Sequence, residues 1–519
     1  MDGSAPSSTG RQIARRIVVI GAGTGGVGAS MITCNLGIFL AQIGKRVVVI
    51  DADLPDPSLC SWLGAPRPKS TLADVLSGRV ERLGDAVVET RVTGLGLVAG
   101  AGDLCGHTEL DEGARAGLWD QMRELDTDFV LVDVPAGLHP LTLDFFGRAD
   151  IPILVTTATP DSVEATYRFV ESVFLHELAR HPNADPASRA ALERLASRPG
   201  RPPTIREIVT DLRDIEGALG DEAGVLAATF HPQVIVNKTR IKADEEVGDA
   251  MVSAAARWIG IVPGLLGSVG WDDNVWLALR RGKTLLIDFS RSRACKDLER
   301  IVRRLLNQDF KDLFAPAAVP PPTGSQNLYE LLEIYPGASE EEVRRALKRI
   351  REWFGIDGLA ASGACSDEER EAYQQAAEEA HATLLDKSKR REYDRGHFPD
   401  GFPAPGRSFP SERDSIAGTV TTTRDSLPLV ELTDDTLVDG AFLGRIRRER
   451  NVELIDISNR AKISKSYLEA IEEERFEDLP APVFIRGFVT EYARFLKIDP
   501  QRAVRDFMAK YDSATRRAK

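Results

Sequence analysis

Between Arg16 and Val236 the apolar residues gather in short Val- and Ile-rich runs, each followed by a longer stretch of helix-compatible spacing. The runs Arg16–Ile20, Arg46–Ile50, Leu95–Ala99, Phe129–Val132, Ile151–Thr156 and Gln233–Val236 read as buried strands. Strands alternating with helical segments predict βα units and a mostly parallel sheet, an α/β fold running from residue 15 to 314. Pro182–Asp221, which carries Pro-Gly-Arg-Pro-Pro, breaks the rhythm and reads as an insertion.

Beyond residue 314 the pattern changes twice. Residues 315–326 are a proline-rich linker, 327–395 a charged helical domain, 396–439 a second linker rich in Pro, Ser, Thr, Gly and Asp, and 440–511 a small all-helical unit. A basic tail, 512–519, follows, and residues 1–14 have the polar, small-residue composition of a disordered segment. The two all-α domains are thus expected on flexible tethers after the α/β domain.

Composition narrows the function classes. With 43% apolar and 28% charged residues in 519, the chain reads as a soluble globular protein, and a net charge of −13 argues against nucleic-acid binding by the whole molecule. Five scattered cysteines in no metal-ligand spacing fit a reducing cytoplasm, and Cys105 with His107 reads as an ordinary loop. The stretch Ile17–Gly44 has no charged residue apart from its flanks, as a membrane segment would. Its seven glycines and the short strand at its start point instead to strand, glycine loop and helix, with no transmembrane segment.

The glycine loop carries the chemistry. Gly21-Ala-Gly-Thr-Gly-Gly-Val-Gly-Ala-Ser30 lies between a strand and the helix Met31–Ile43, where successive backbone amides can turn towards a phosphate. Residues 16–290 resemble the bacterial ParA/MinD/FlhG family of P-loop ATPases, whose deviant Walker A loop reads Lys-Gly-Gly-Val-Gly-Lys-Thr/Ser. The same frame here is Thr24-Gly25-Gly26-Val27-Gly28-Ala29-Ser30. The resemblance makes Asp53 the switch aspartate, Asp133 the magnesium-side aspartate and Asn237 the adenine-reading asparagine. It makes Trp271–Asp288 the closing segment and places magnesium on Ser30, Asp53 and Asp133. Both family lysines are absent: Thr24 replaces the one that crosses the dimer, and Ala29 the one on the β- and γ-phosphates. A charge-assisted bond to phosphate contributes roughly 1.5–3 kcal/mol, so ATP binding should be weak or absent and hydrolysis should suffer more. Asp53 would be the catalytic residue of an active enzyme. Lys238 and Arg240 are candidate substitutes, expected to sit at the base end and not to reach the loop.

Two further resemblances follow. Asn327–Ser339 and Glu378–Asp394 are similar to the ends of a DnaJ-type J-domain, but its His-Pro-Asp reads Gly355-Ile356-Asp357, which implies protein docking rather than co-chaperone activity. Gly440–Tyr511 resembles the cytoplasmic helix-turn-helix domain of RodZ, which in that family docks on an actin-like filament. The second helix of this motif would lead with Ser464, Lys465, Ser466 and Tyr467, the residues for docking a partner or DNA. Glu469, Glu472, Glu473 and Glu474 on the same helix would repel phosphates, which favours a protein partner. The stripe Leu298, Ile301, Val302, Leu305 and Leu306, flanked by arginines, reads as a helix packed on the sheet; a membrane-binding amphipathic helix is the alternative.

These features lead to a cytoplasmic scaffold or positioning protein with a pseudo-ATPase platform, working in polarity, motility or division, and to an oligomeric state, monomer or homodimer, that is independent of ATP. The alternatives are an ATP-binding positioning ATPase and a DNA-binding transcriptional or chromosome-associated regulator acting through residues 440–511.

Overall fold

Eight strands form one sheet in the order β3-β4-β2-β5-β1-β6-β7-β8. They are β1 (Arg16–Gly21), β2 (Val47–Asp51), β3 (Val88–Glu89), β4 (Leu95–Val98), β5 (Phe129–Asp133), β6 (Ile151–Thr157), β7 (Gln233–Thr239) and β8 (Gly264–Gly270). Every pairing is parallel except β3 with β4, so the polypeptide returns over the faces through helices. The computed structural model describes residues 16–65, 68–100, 111–198, 202–214, 218–307, 327–399, 401–402, 437–450, 454, 457, 463, 465–480 and 482–517. The disordered N-terminus expected for residues 1–14, the Cys105–His107 loop and nearly all of both linkers lie outside them.

All six expected strands are present. The sequence pattern missed β3, which has two residues, and β8, whose Gly-Leu-Leu-Gly-Ser-Val-Gly is diluted by three glycines. Glycine weakens a strand signal because it offers no side chain to pack. The inserted segment folds into α7 (Pro186–Ala196) and α8 (Ile205–Asp214), after α1 (Ala29–Gln42), α2 (Leu59–Trp62), α3 (Leu72–Leu76), α4 (Glu112–Glu124), α5 (Pro140–Arg148) and α6 (Pro160–Ala179). It is not loose: Leu192, Leu195, Ile205, Ile208 and Leu212 are buried in the layer that α6 starts. The domain continues through α9 (Ala218–Thr229), α10 (Lys242–Ala254), α11 (Asp273–Arg280), α12 (Leu285–Asp288) and α13 (Arg293–Asn307).

Helix α13 carries the arginine-flanked stripe. Leu298, Ile301, Val302 and Leu305 are each no more than 1% exposed and rest on β8 and α1, so the helix covers the sheet. Burying each such side chain contributes about 1.5–3 kcal/mol, which a membrane-bound alternative would have to replace.

The two helical modules are not held apart on tethers. The first consists of α14 (Leu328–Leu331), α15 (Glu340–Phe354), α16 (Asp367–Leu385) and α17 (Lys387–His397). It sits on one face of the sheet layer, on α6, α10 and the π-helical turn Ala255–Ile259 that extends α10. That turn projects Trp258 between Phe354 and Tyr373, with ring centroids 5.1 and 5.7 Å away, and aims Arg257 at Glu333. Tyr167 of α6 donates its hydroxyl to the Ala360 carbonyl at 2.8 Å.

The second module has α18 (Gly440–Glu449), α19 (Lys465–Glu472), α20 (Pro482–Phe495) and α21 (Pro500–Arg517), and sits on the opposite face. Phe484 of α20 meets Phe39 of α1 edge to face at 4.5 Å, and Gly487 lets α20 close on the Glu299–Arg303 pair of α13. This explains the uncharged stretch of sequence. Every residue from Met31 to Ala41 is buried, because α1 has the sheet on one side and α13 and α20 on the other. Among the described residues no helix is long and apolar enough to cross a membrane.

Candidate nucleotide-binding site

Strand β1 ends at Gly21 and α1 begins at Ala29, so the intervening loop lies above the sheet at a helix N-terminus. Gly26 and Gly28 have φ of 78° and 97°, a region that costs a side chain strain. A Cβ on Gly23 would lie 2.2 Å from the Ala165 carbonyl oxygen, so α6 supports the loop from behind. Added Cβ atoms at Gly25 and Gly26 would meet nothing, so the loop's outer surface is open. It forms the floor of a cleft of about 500 Å³ whose walls include Asp53, Asn237, Lys238, Trp271 and Trp276. A loop of this shape at the start of a long helix suits a phosphate anion.

The acidic residues stand on the β2–β5 side. Asp51 and Asp133 pair in register on adjacent strands and are each 1% exposed. The Asp133 carboxylate accepts from Thr33 Oγ1 at 3.1 Å on one oxygen, and its other oxygen is buried without a hydrogen-bond partner. Burial, helped by the charge of Asp51, pushes Asp133 up to about 8 despite the bond from Thr33, and burial lifts Asp51 to about 7. Asp53 lines the cleft, accepts from the Asp56 amide at 3.2 Å and is raised chiefly by burial. Ser30, Asp53 and Asp133 offer hard oxygen donors of the kind magnesium takes, and one Asp133 oxygen is buried without a hydrogen-bond partner. The oxygen set therefore fits a magnesium–nucleotide complex. Cationic compensation of its phosphates does not come from positions 24 or 29, where Thr24 and Ala29 stand.

The cation comes from the other side. Asn237 and Lys238 lie at a register shift in β7, and Lys238 takes φ 60°. Asn237 Nδ2 donates to the Val27 carbonyl at 2.8 Å, and Lys238 Nζ donates to the Gly26 carbonyl at 2.5 Å. The expectation that Lys238 cannot reach the loop is thus corrected: the bulge turns its side chain onto the loop itself. Arg240 does stay away, over the Trp271 ring at 4.5 Å.

Comparison with known proteins bears directly on this geometry. Residues 13–173 match the ParA family model described as an NUBPL iron-transfer P-loop NTPase, and residues 442–503 match a helix-turn-helix domain. The chain carries a ParA/MinD-type P-loop domain and a C-terminal helix-turn-helix domain. The antiactivator FleN of Pseudomonas aeruginosa is 31% identical over 158 residues, 30% of this chain and 55% of that protein. The chromosome partitioning protein ParA of Caulobacter vibrioides is 36% identical over 144 residues, 26% of this chain and 53% of that protein. The chain spans about half the length of these curated relatives. The solved MinC:MinD cell division protein complex of Aquifex aeolicus aligns with 57% of this chain and 97% of its own, at 22% identity and a TM-score of 0.38.

Of the docking residues expected in the helix-turn-helix domain, only Tyr467 has a described side chain. Ser464 and the side chains of Lys465 and Ser466 lie outside the described residues, and Tyr467 stacks on Phe488 at 5.6 Å. The glutamates expected to repel phosphate are largely spent inside the domain. Glu472 pairs with Arg447 at 2.6 Å and with Tyr492, Glu474 with Lys510 at 2.7 Å, and Glu473 with Arg475 at 2.7 Å.

Outside the cleft, Asp144, His176 and Glu177 lie close enough together to hold a metal ion. Asp144 is instead surrounded by Arg115, Arg180 and Arg148 at 2.8, 3.0 and 3.2 Å. Burial opposes its charge, but the nearby His176, the hydrogen bond from Arg115 and the charges of Arg148 and Arg180 prevail and hold it near 2. It ties α4, α5 and α6 together and leaves a cation little to gain.

The raised pair in the ParA/MinD-type domain has a pH signature. Asp133 binds its proton more tightly in the fold than in the unfolded chain, so its contribution is complete below about pH 4 and lost progressively as pH rises to about 8. Asp133→Asn keeps the neutral shape. Its unfolding free energy between pH 5 and 8 should fall less steeply than the native protein's, by up to about 1.4 kcal/mol per pH unit. Urea melts across that range check this, and equal slopes would remove Asp133 as the titrating group.

Proposed function

We propose that this protein is a positioning scaffold of ParA/MinD type whose P-loop domain does not turn over ATP. The observation that carries the reading is a formed phosphate loop, with the buried Asp133 carboxylate behind it, and no cation at positions 24 and 29. Transfer of a phosphoryl group depends on fixed positive charge where negative charge develops, and that charge is what the loop has lost. The names of the relatives, an antiactivator, septum-site determinants and partitioning proteins, favour a role in polarity, motility or division.

The J-like and RodZ-like modules then act as parts of one platform that offers its outer surface to protein partners, an actin-like filament among them, rather than as separate arms. Assembly into a homodimer would not depend on ATP, because a ligand shifts an equilibrium only by its differential affinity for the two states. A phosphate-release assay on the full chain with magnesium-ATP tests the reading. No turnover above the background of an Asp53→Ala variant is expected, and turnover lost in that variant would make the protein an active positioning ATPase.

DNA binding through the helix-turn-helix domain is a second reading, favoured by the internal neutralisation of Glu472, Glu473 and Glu474. Steeply salt-dependent binding of duplex DNA by the full chain would select it.

A further inference from the structure

Carboxylates stand at both ends of the cleft. Asp53 and Asp56 follow β2 and Lys238 stands across the loop on β7, while Asp272 and Asp273, beyond β8, accept from the Asn274 and Ala294 amides and from Trp271 Nε1. Lys238 is the one cationic side chain among the described residues lining the cleft. Its backbone is held for that position. The other non-glycine residues with positive φ, Glu333, Glu474 and Lys497, each follow a helix C-terminus, whereas Lys238 adopts φ 60° within a strand, at a bulge. Such a conformation is strained and persists where surrounding contacts fix it, here the bonds from Asn237 to Val27 and from Lys238 to Gly26.

The apolar part of the cleft is on the same side as Lys238. Trp271 follows β8, and Val275, Trp276 and Leu279 lie on α11 just beyond it. An aromatic base belongs against these walls, which leaves its phosphates to run over the loop towards Asp53. The first phosphates would pass the amides of residues 25–30 and the Lys238 ammonium, which has two donors left beyond its bond to Gly26. Each additional phosphate moves away from that cation and towards Asp53 and Asp56.

We propose that this cleft is a nucleoside diphosphate site that does not read the γ-phosphate, with Lys238 supplying the phosphate-binding cation from β7. The proposal rests on the non-hydrolysing reading above and deepens it by naming the ligand class. It also makes the loop pre-formed: Asn237 and Lys238 hold Val27 and Gly26 in place without help from a ligand.

The test is calorimetric titration of the full chain with ADP, ATP and AMP, each with and without magnesium, with tryptophan fluorescence as a second readout because Trp62, Trp271 and Trp276 line the cleft. ADP is expected to bind at least as tightly as ATP. Lys238→Met should weaken ADP at least 10-fold, the effect of losing one charge-assisted bond, and Lys238→Arg should stay within about 3-fold. ATP binding 10-fold or more tighter than ADP would overturn the proposal on the native protein, with no variant needed. So would ADP binding unchanged in Lys238→Met, or no binding of any nucleotide at millimolar concentration. The last result together with no phosphate release would leave the scaffold reading standing. ATP turnover would instead overturn that reading, whatever the ADP affinity.

Discussion

Replacing Thr24 and Ala29 together by lysine is expected to tighten magnesium-ATP binding by about 100- to 10,000-fold. Each restored charge-assisted bond to phosphate contributes roughly 1.5–3 kcal/mol, and each 1.4 kcal/mol is a factor of ten. The scaffold for both side chains is present. Ala29 is the first residue of α1, Thr24 lies in the loop, and both line the open cleft, so neither lysine has to displace a neighbour from the core. The gain should be larger for ATP than for ADP, because the family lysine at position 29 serves the β- and γ-phosphates. The double variant should therefore prefer the triphosphate where the native chain does not. Titration of both nucleotides against both proteins measures this. If the double variant binds ATP no better than the native chain, the lysine losses are not what separates this cleft from an active one.

The second large effect concerns the helical module at 327–402. Glu333→Ala is expected to destabilise its attachment by about 3–5 kcal/mol, because it leaves Arg257 buried without its carboxylate. The pair is well out of solvent, with side chains 4% and 9% exposed, and the guanidinium nitrogen is 3.1 Å from the carboxylate oxygen. Ser253 donates to the same oxygen, and Arg257 also lies over the Tyr373 ring at 3.8 Å. Glu333 takes φ 55° at the end of α14 to place its carboxylate there. Hydrogen exchange should show faster opening of α14 and of the π-helical turn at 255–259 in the variant, with the β1–β5–β6 centre of the sheet unchanged. Equal protection in variant and native protein would mean that the apolar contacts of Trp258 hold the module without the ion pair.

The central strands, the glycine loop and the loss of Lys at 24 and 29 were legible in the sequence because they are local. A buried parallel strand must be a Val- and Ile-rich run, and a phosphate loop must have glycine where φ is positive. Asp53 and Asp133 were legible through the family resemblance, since each sits at or just past the end of a matching strand, whereas Asp51 beside them was not singled out. The raised affinity of these carboxylates for protons was not legible, because it depends on β2 and β5 being neighbours and on α1 covering them. The lack of charge in α1 was visible and ambiguous. A helix buried by lipid and one buried by a sheet and two other helices have the same composition, and only packing tells them apart.

Tertiary structure alone decided where the remaining cation stands and how the modules sit. Lys238 is more than 200 residues from Gly26, and nothing in Asn-Lys-Thr-Arg announces the one-residue bulge that turns its side chain onto the loop. Proline-rich linkers suggested independent arms. Yet Trp258 between Phe354 and Tyr373, and Phe484 against Phe39, join the modules to opposite faces of one sheet. A linker's composition reports the stiffness of the linker and not the affinity of the surfaces it joins. Those affinities are set by apolar and ionic groups far apart in the chain, which a one-dimensional pattern does not pair.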